Sequence, residues 1–191
     1  MELQSKSSIR RFVLEQRENM EMDTRKAFNE SIFKLLINSE FYKAATVIFV
    51  FVSFGSEVNT HSIIEHALKN HRTVYVPKVV SAEKGMEAFR INSLEELKVG
   101  YFNILEPQES CPPGDISSID LILMPGVAFD NKGGRLGYGK GFYDVFLKKI
   151  NKKVKKIALA YDFQVIDSVP MEEYDVFIDE IVTNEGRLIW K

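Results

Sequence analysis

Asp120-Leu-Ile-Leu-Met-Pro125 is an apolar run, and Gly133-Gly-Arg-Leu-Gly-Tyr-Gly-Lys-Gly-Phe-Tyr-Asp144 follows it. The chain continues with amphipathic spacing through Tyr143-Asp-Val-Phe-Leu-Lys-Lys-Ile150. Strand, glycine loop and helix in that order is how an α/β fold offers bare backbone N–H groups to a phosphate. The twelve residues Gly133 to Asp144 hold five glycines, one arginine, one lysine and a closing aspartate. Glycine lets the backbone turn freely and lets an anion approach without a Cβ in the way. Arg135 and Lys140 place charge where a polyphosphate would sit. Asp144 could hold a divalent metal on that polyphosphate.

Outward from this segment, the other elements point to a sheet covered on both faces. Ala45 to Ser53 (ATVIFVFVS) is almost wholly β-branched and aromatic, as a central strand of a largely parallel sheet would be. Thr73 to Val80 (TVYVPKVV) reads as a second strand that Pro77 ends, and Met86 to Ile91 as a short third. Thr60 to Asn70 carries Ile63, Ile64, Ala67 and Leu68 at helical spacing. Ser93 to Lys98 reads as a helical turn capped by Ser93 and Glu96. Gly100 to Ser118, with Pro107, Pro112, Pro113 and Gly114, is a crossing loop. Ile157–Tyr161 and Val176–Val182 are the last strands. Ahead of all these, Ser7 to Asn38 splits into two helices near Glu21-Met-Asp-Thr24, with Asp23 or Thr24 as the second N-cap. The expectation is one α/β domain over residues 1–191. It has three layers, a mostly parallel open sheet with helices on both faces (Rossmann-like), and helices at the N-terminus.

Composition narrows the class. The 191 residues carry a net charge of −2, which argues against a general nucleic-acid binder. One cysteine, Cys111, rules out a disulfide framework and suggests a reducing compartment. Met1 to Arg10 lacks the apolar core of a signal peptide, and Ala44 to Val52 is too short to span a bilayer. The expected setting is cytoplasmic, with no nucleic-acid or membrane partner, as a monomer or weak homodimer.

Several constellations could carry chemistry. The glycine segment is not a P-loop, because Gly141 follows Lys140, and it is not a clean dinucleotide fingerprint. Its strength lies in the fixed offsets of Arg135, Lys140 and Asp144. Lys6 and Arg10 share one helical face; a phosphate between them and a solvated basic helix end both account for that. Glu57 closes the loop after the first strand, where open α/β sheets bind ligands. Asp179 interrupts an apolar stretch, so its charge needs a metal or a basic partner. His61, His66 and His71 are five residues apart and wander around the helix instead of lining a metal site. Phe102 could stack on a flat ligand or pack in the core.

Met124-Pro-Gly-Val-Ala-Phe-Asp130 together with Gly134-Arg-Leu-Gly-Tyr-Gly-Lys-Gly-Phe-Tyr-Asp144 resembles the signature of the 5-formyltetrahydrofolate cyclo-ligase family, also called methenyltetrahydrofolate synthetases. The likeness runs over nearly the whole chain. It takes in Lys6 and Arg10, the segment ending at Glu57, Val76-Pro77-Lys78, and Met86 with Arg90-Ile91. Asn103-Ile-Leu-Glu-Pro107 and Asp179-Glu180 complete it. The resemblance implies a sheet of the sugar-phosphate isomerase and CoA-transferase type. It also implies a ligase that uses ATP and Mg²⁺ to close 5-formyltetrahydrofolate to 5,10-methenyltetrahydrofolate, releasing ADP and phosphate. The formyl oxygen would take the γ-phosphoryl group, and N10 would then attack the formyl carbon.

By the same resemblance, ATP would meet Lys6, Arg10 and the loop Gly134, Arg135, Leu136, Gly137, Tyr138, Gly139, Lys140, Gly141, Phe142 and Tyr143. Lys140 and Arg135 would be catalytic through the charge they place on the transferring group. Val52, Glu57, Met86, Phe102 and Tyr143 would contact the folate, with Lys78 and Arg90 as weaker contacts, and Asp144 and Asp179 would hold Mg²⁺. The family often carries Tyr-Tyr-Asp at the end of the motif, where this chain has Phe142-Tyr143-Asp144. A hydroxyl worth about 1 kcal/mol would then be absent. Position 102 holds phenylalanine where some members have a larger aromatic. Two other readings of the residues stand beside this one. A sugar-phosphate isomerase or acyl-CoA transferase would lean on Glu57 and leave the two aspartates without work. A non-catalytic nucleotide or folate module is the other.

Overall fold

The computed structural model describes residues 5–81, 85–100, 104–151 and 153–189. In chain order, α1 (Lys6–Glu18), α2 (Met22–Asn38) and α3 (Glu40–Ala44) lead into β1 (Val47–Val50). Helix α4 (His61–Lys69), β2 (Thr73–Ser81) and β3 (Gly85–Ile91) follow, then the ribbon β4 (Leu97–Val99) and β5 (Leu105–Pro107). Next come β6 (Leu121–Met124), β7 (Ala128–Asp130), β8 (Arg135–Leu136) and α5 (Phe142–Leu147). The chain closes with β9 (Lys155–Leu159), β10 (Val165–Ile166), β11 (Glu180–Val182) and β12 (Arg187–Ile189).

Among the described residues, seven strands form one sheet in the order β12-β11-β9-β6-β1-β2-β3. The five inner strands run parallel, while β12 and β3 add antiparallel edges. The period-two alternation of strands divides the apolar runs between two faces. Ile48, Val50, Leu121, Leu123, Ile157 and Val182 pack with Ile32, Leu36, Tyr42, Ile63 and Ile64 from α2, α3 and α4. On the opposite face Phe49, Ile122, Met124, Ala158 and Ile181 pack with Phe146 and Leu147 of α5. There Phe49 stacks on Phe146 with ring centroids 4.6 Å apart. The near-continuous hydrophobicity of these strands thus serves helices on both faces, as the three-layer expectation requires.

A second, three-stranded sheet, β10-β7-β8, stands beside the large one. Ile9 and Val13 of α1 pack onto it with Val127, Ala128, Leu136 and Val169. This contact brings the N-terminal helix to the glycine segment. No helix among the described residues is long and apolar enough to cross a membrane.

The structure moves several boundaries. The second helix starts at Met22 with Glu21 at its N-cap and no side-chain cap, so neither Asp23 nor Thr24 serves that role. Strand β2 runs through Pro77 to Ser81, because beyond Tyr75 its only ladder partner among the described residues is the edge strand β3. A proline that offers no N–H is tolerated at such a position. The helix after the glycine segment ends at Leu147, not Ile150. Val176–Asp179 lies outside the last parallel strand, which covers only Glu180–Val182.

Candidate active site

The carboxyl ends of β1 and β6 and the glycine segment enclose a cavity of about 670 Å³, the size usual for a small-molecule site. Phe51, Val52 and Pro125 come from the strand ends, and Leu136 to Asp144 from the glycine segment. Strands β2, β3 and β5 add Pro77, Val79, Met86, Leu105 and Glu106. Lys6 and Arg10 enter from α1, and Glu172, Tyr174 and Asp175 from the late loop.

The loop after β1 aims Glu57 inward. Ser53 N–H donates to Thr60 Oγ1 at 2.9 Å and Thr60 N–H returns a bond to Ser53 Oγ at 3.0 Å, which closes the loop on itself. Glu57 Oε2 accepts from the Phe54 N–H at 3.1 Å, and Oε1 accepts from the Tyr138 hydroxyl at 2.6 Å. The side chain is 7 % exposed. Burial pushes its carboxyl above the ordinary range, against the opposing pull of the Tyr138 bond and the Arg17 charge.

The glycine segment is organised from below by Asp130. Its Oδ1 accepts from Lys132 N–H at 2.9 Å and Gly134 N–H at 2.8 Å, and its Oδ2 from Val169 N–H at 2.8 Å. Gly134 itself is packed against this carboxylate and is not on the cavity wall. Arg135 lines the cavity with its guanidinium almost fully buried, and Nη2 donates to Asp144 Oδ1 at 2.7 Å. The Arg135 Nε is buried with no partner. Gly141, with φ of +70°, is the N-cap of α5 and sets Asp144 in its first turn.

Helix α1 opens with a capping box at Ser5 and Ser8. Lys6 Nζ then reaches Glu172 at 2.8 Å and Asp175 at 3.3 Å, and those bonds, Glu172 first, raise its pKa. Arg10 Nε donates to the Gly137 carbonyl at 2.8 Å. Both cations therefore sit at the cavity, and neither belongs to a bare helix end. The backbone N–H of Val176 donates to Asp144 Oδ1 at 3.3 Å, which ties the late loop to the glycine segment.

The expected residues fall into three groups. Lys6, Arg10, Arg135 to Asp144, Val52, Glu57 and Met86 are brought to one cavity. Phe102 lies outside the described residues. Gly134 and Asp179 are not on the cavity wall, and neither are Lys78 and Arg90. Asp179 precedes β11, where its Oδ2 accepts from the Lys156 N–H at 2.7 Å and pairs with Lys156 Nζ at 2.9 Å. Lys156 is thus the basic partner that a charge beside an apolar strand calls for. The cavity carboxylates that sequence reading missed are Glu106, Glu172 and Asp175. Asp175 follows Glu172-Glu173-Tyr174 and reads as solvated surface; only the reach of Lys6 across the fold marks it.

No group of three or more His, Cys, Asp or Glu side chains able to hold a metal occurs among the described residues. The donor set suits Mg²⁺, which takes one or two carboxylates and completes its shell with phosphate and water. Asp144 and Asp175 both line the cavity.

Residues 2–184 match the model of the 5-formyltetrahydrofolate cyclo-ligase family. A curated Arabidopsis thaliana protein, "5-formyltetrahydrofolate cyclo-ligase, mitochondrial", is 31% identical over 95% of this chain and 74% of its own length. Two solved structures are similar throughout. The Aquifex aeolicus 5,10-methenyltetrahydrofolate synthetase superposes with a TM-score of 0.85 at 32% identity, over 96% of this chain and 92% of its own. The Mycoplasma pneumoniae 5,10-methenyltetrahydrofolate synthetase gives 0.75 at 26% identity, over 94% and 99%.

Proposed function

Because the chain belongs to the 5-formyltetrahydrofolate cyclo-ligase family, we propose that the cavity at the glycine segment seats ATP against that segment and the folate against Glu57. The enzyme is a ligase that converts 5-formyltetrahydrofolate to 5,10-methenyltetrahydrofolate, with ATP as co-substrate. The observation that carries the two-substrate arrangement is the shared wall. Lys140 and Asp144 line the same space as Val52, Glu57 and Met86.

The N5-formyl group is an amide whose oxygen leaves poorly. In the proposed sequence that oxygen attacks the γ-phosphorus, the bond from γ-phosphorus to the bridging oxygen breaks, and ADP departs. The formyl carbon, now bearing a phosphate, is open to N10. N10 attacks, the carbon–oxygen bond breaks, phosphate leaves with the former formyl oxygen, and N10 gives up its proton. Little covalent work falls to the protein, so position and charge dominate.

Lys140 neutralises charge on the transferring group. Lys6 and Arg10 hold phosphate oxygens from α1, and the N–H groups of the loop Leu136–Tyr143 face the triphosphate. Arg135 acts from beneath: its bond to Asp144 fixes that carboxylate's direction. Mg²⁺, held by Asp144 and Asp175, would supply charge neutralisation at the phosphates. Lys6 then exchanges part of its pairing with Asp175 for phosphate when the nucleotide enters. On the folate side, Glu57 accepts from pterin N–H donors, while Val52 and Met86 pack against the flat ring.

The route of one oxygen tests this reading. With 5-formyltetrahydrofolate labelled with ¹⁸O in the formyl group, the released phosphate should carry one labelled oxygen per methenyl product. Unlabelled phosphate, with product formed at the normal rate, would rule out phosphorylation at the formyl oxygen.

A further inference from the structure

Arg17 is an arginine with 3 % exposure at the end of α1, and it does not line the cavity. Its Nη2 donates to the Tyr138 hydroxyl oxygen at 2.7 Å, and its Nε donates to Ser56 Oγ at 3.0 Å. The guanidinium carbon lies 5.8 Å from the centre of the Tyr138 ring. Tyr138 in turn donates its hydroxyl proton to Glu57 Oε1. We propose that Arg17 is a positioning residue for the cyclisation, acting through the Tyr138 hydroxyl to hold the Glu57 carboxylate ready for the folate ring. The proposal rests on the reading above that Glu57 receives the folate's N–H donors.

The direction of each bond follows from the donor inventory. A guanidinium only donates, so Arg17 must fill an acceptor position on the tyrosine oxygen. The single phenolic proton is then left to point at Glu57. Each carboxylate oxygen offers about two acceptor positions. Tyr138 takes one on Oε1 and the Phe54 N–H one on Oε2. The remaining two are available for a pair of ring N–H donors.

Without Arg17 the hydroxyl is free to turn away, and the buried carboxylate loses the Tyr138 donor and the opposing Arg17 charge, keeping the Phe54 N–H. The ionisable groups that act on Glu57 among the described residues are Arg17 and Tyr138, with Tyr143 and Tyr161 close enough for their own titrations to feel its charge. Arg17 is the one cation among them. The geometry also explains why one helix carries Lys6, Arg10 and Arg17. Lys6 meets the acidic pair at Glu172 and Asp175, Arg10 meets the loop at Gly137, and Arg17 meets Tyr138 one residue further along.

The test uses the full chain, four single variants (Arg17→Met, Arg17→Lys, Tyr138→Phe and Glu57→Gln) and the double variant that combines Arg17→Met with Tyr138→Phe. Arg17→Met and Tyr138→Phe should each raise KM for 5-formyltetrahydrofolate about tenfold, the scale of one charge-supported hydrogen bond, with KM for ATP little changed. The combined variant should be no worse than the more damaged single one, because both cut the same chain. Arg17→Lys, which keeps the charge and one donor, should recover part of the loss. In Arg17→Met the acid limb of kcat/KM for the folate should move to higher pH. Additive losses, an equal rise in KM for ATP, or an unmoved acid limb would each overturn the proposal and leave Arg17 a structural residue. Tyr138→Phe keeps the ring and its packing on Phe54, so it carries the test if Arg17→Met does not fold. If Glu57→Gln leaves the folate KM unchanged, the assignment of Glu57 to the folate fails. If Glu57→Gln raises it and Arg17→Met does not, the relay alone fails.

Discussion

Gly134→Ala adds one methyl group and should destabilise the fold far more than its size suggests. A Cβ at this position would lie 2.4 Å from Asp130 Oδ2 and 2.9 Å from its Cγ. Asp130 is 3 % exposed and bonded to the Lys132, Gly134 and Val169 N–H groups. It cannot swing aside without releasing at least one of them. Losing the acceptor of the buried Val169 N–H costs about 1–3 kcal/mol. Shifting the packed backbone to relieve the clash adds about 1–2 kcal/mol more. The sum, about 2–5 kcal/mol, should lower the melting temperature of a chain this long by roughly 5–20 °C. Gly141→Ala is the matched control. Its φ is +70° with no atom within 4 Å of the new methyl, so backbone strain of about 1–2 kcal/mol is its whole cost. Thermal unfolding of both variants, followed by circular dichroism, reads the difference. Because Gly134 is off the cavity wall, KM for ATP in the folded variant should stay near the wild-type value. A Gly134→Ala protein that melts like wild type, or that loses ATP affinity alone, would refute the role given to Asp130.

Three further outcomes follow from the site. Lys140→Ala should lower kcat by about 10²–10³ at saturating ATP, the loss usual for one charge-stabilising donor, with an unchanged melting temperature. Asp144→Asn and Asp175→Asn should each shift the magnesium titration to higher concentration, whereas Asp179→Asn should leave it in place; a shift only in the third would return the metal to Asp179. The pH dependence follows from Glu57, which accepts N–H donors on both of its oxygens only when ionised. Burial raises its pKa, so folate capture fails as pH falls through a midpoint above the ordinary carboxylate value of 4.5. Glu57→Gln should abolish that limb, and an identical limb in the variant would assign it to another group.

Much of this architecture was legible in the residues because its signals are long. Ala45–Ser53 and Asp120–Pro125 are too apolar for one-faced strands, and their side chains do divide between two helical layers. The small sheet β10-β7-β8 was not legible, since strands of two or three residues show no period. Strand β12 and the β4–β5 ribbon escaped for the same reason. At the site, the glycine loop and Glu57 were readable as local motifs at strand ends. Asp175 and Arg17 were not, because each acquires its meaning from a partner distant in sequence: Asp175 from Lys6, and Arg17 from Tyr138. Asp179 drew attention as a charge in an apolar run, and the ladder supplied Lys156 from the neighbouring strand to meet it.

Closure of the folate ring by the purified chain is the most direct measurement. Incubated with 5-formyltetrahydrofolate, the chain should generate the absorbance of the methenyl product only when ATP and Mg²⁺ are both present, with one ADP released per product. Product formed without ATP, or ATP bound by a folded protein that makes no product with both present, would contradict the assigned reaction.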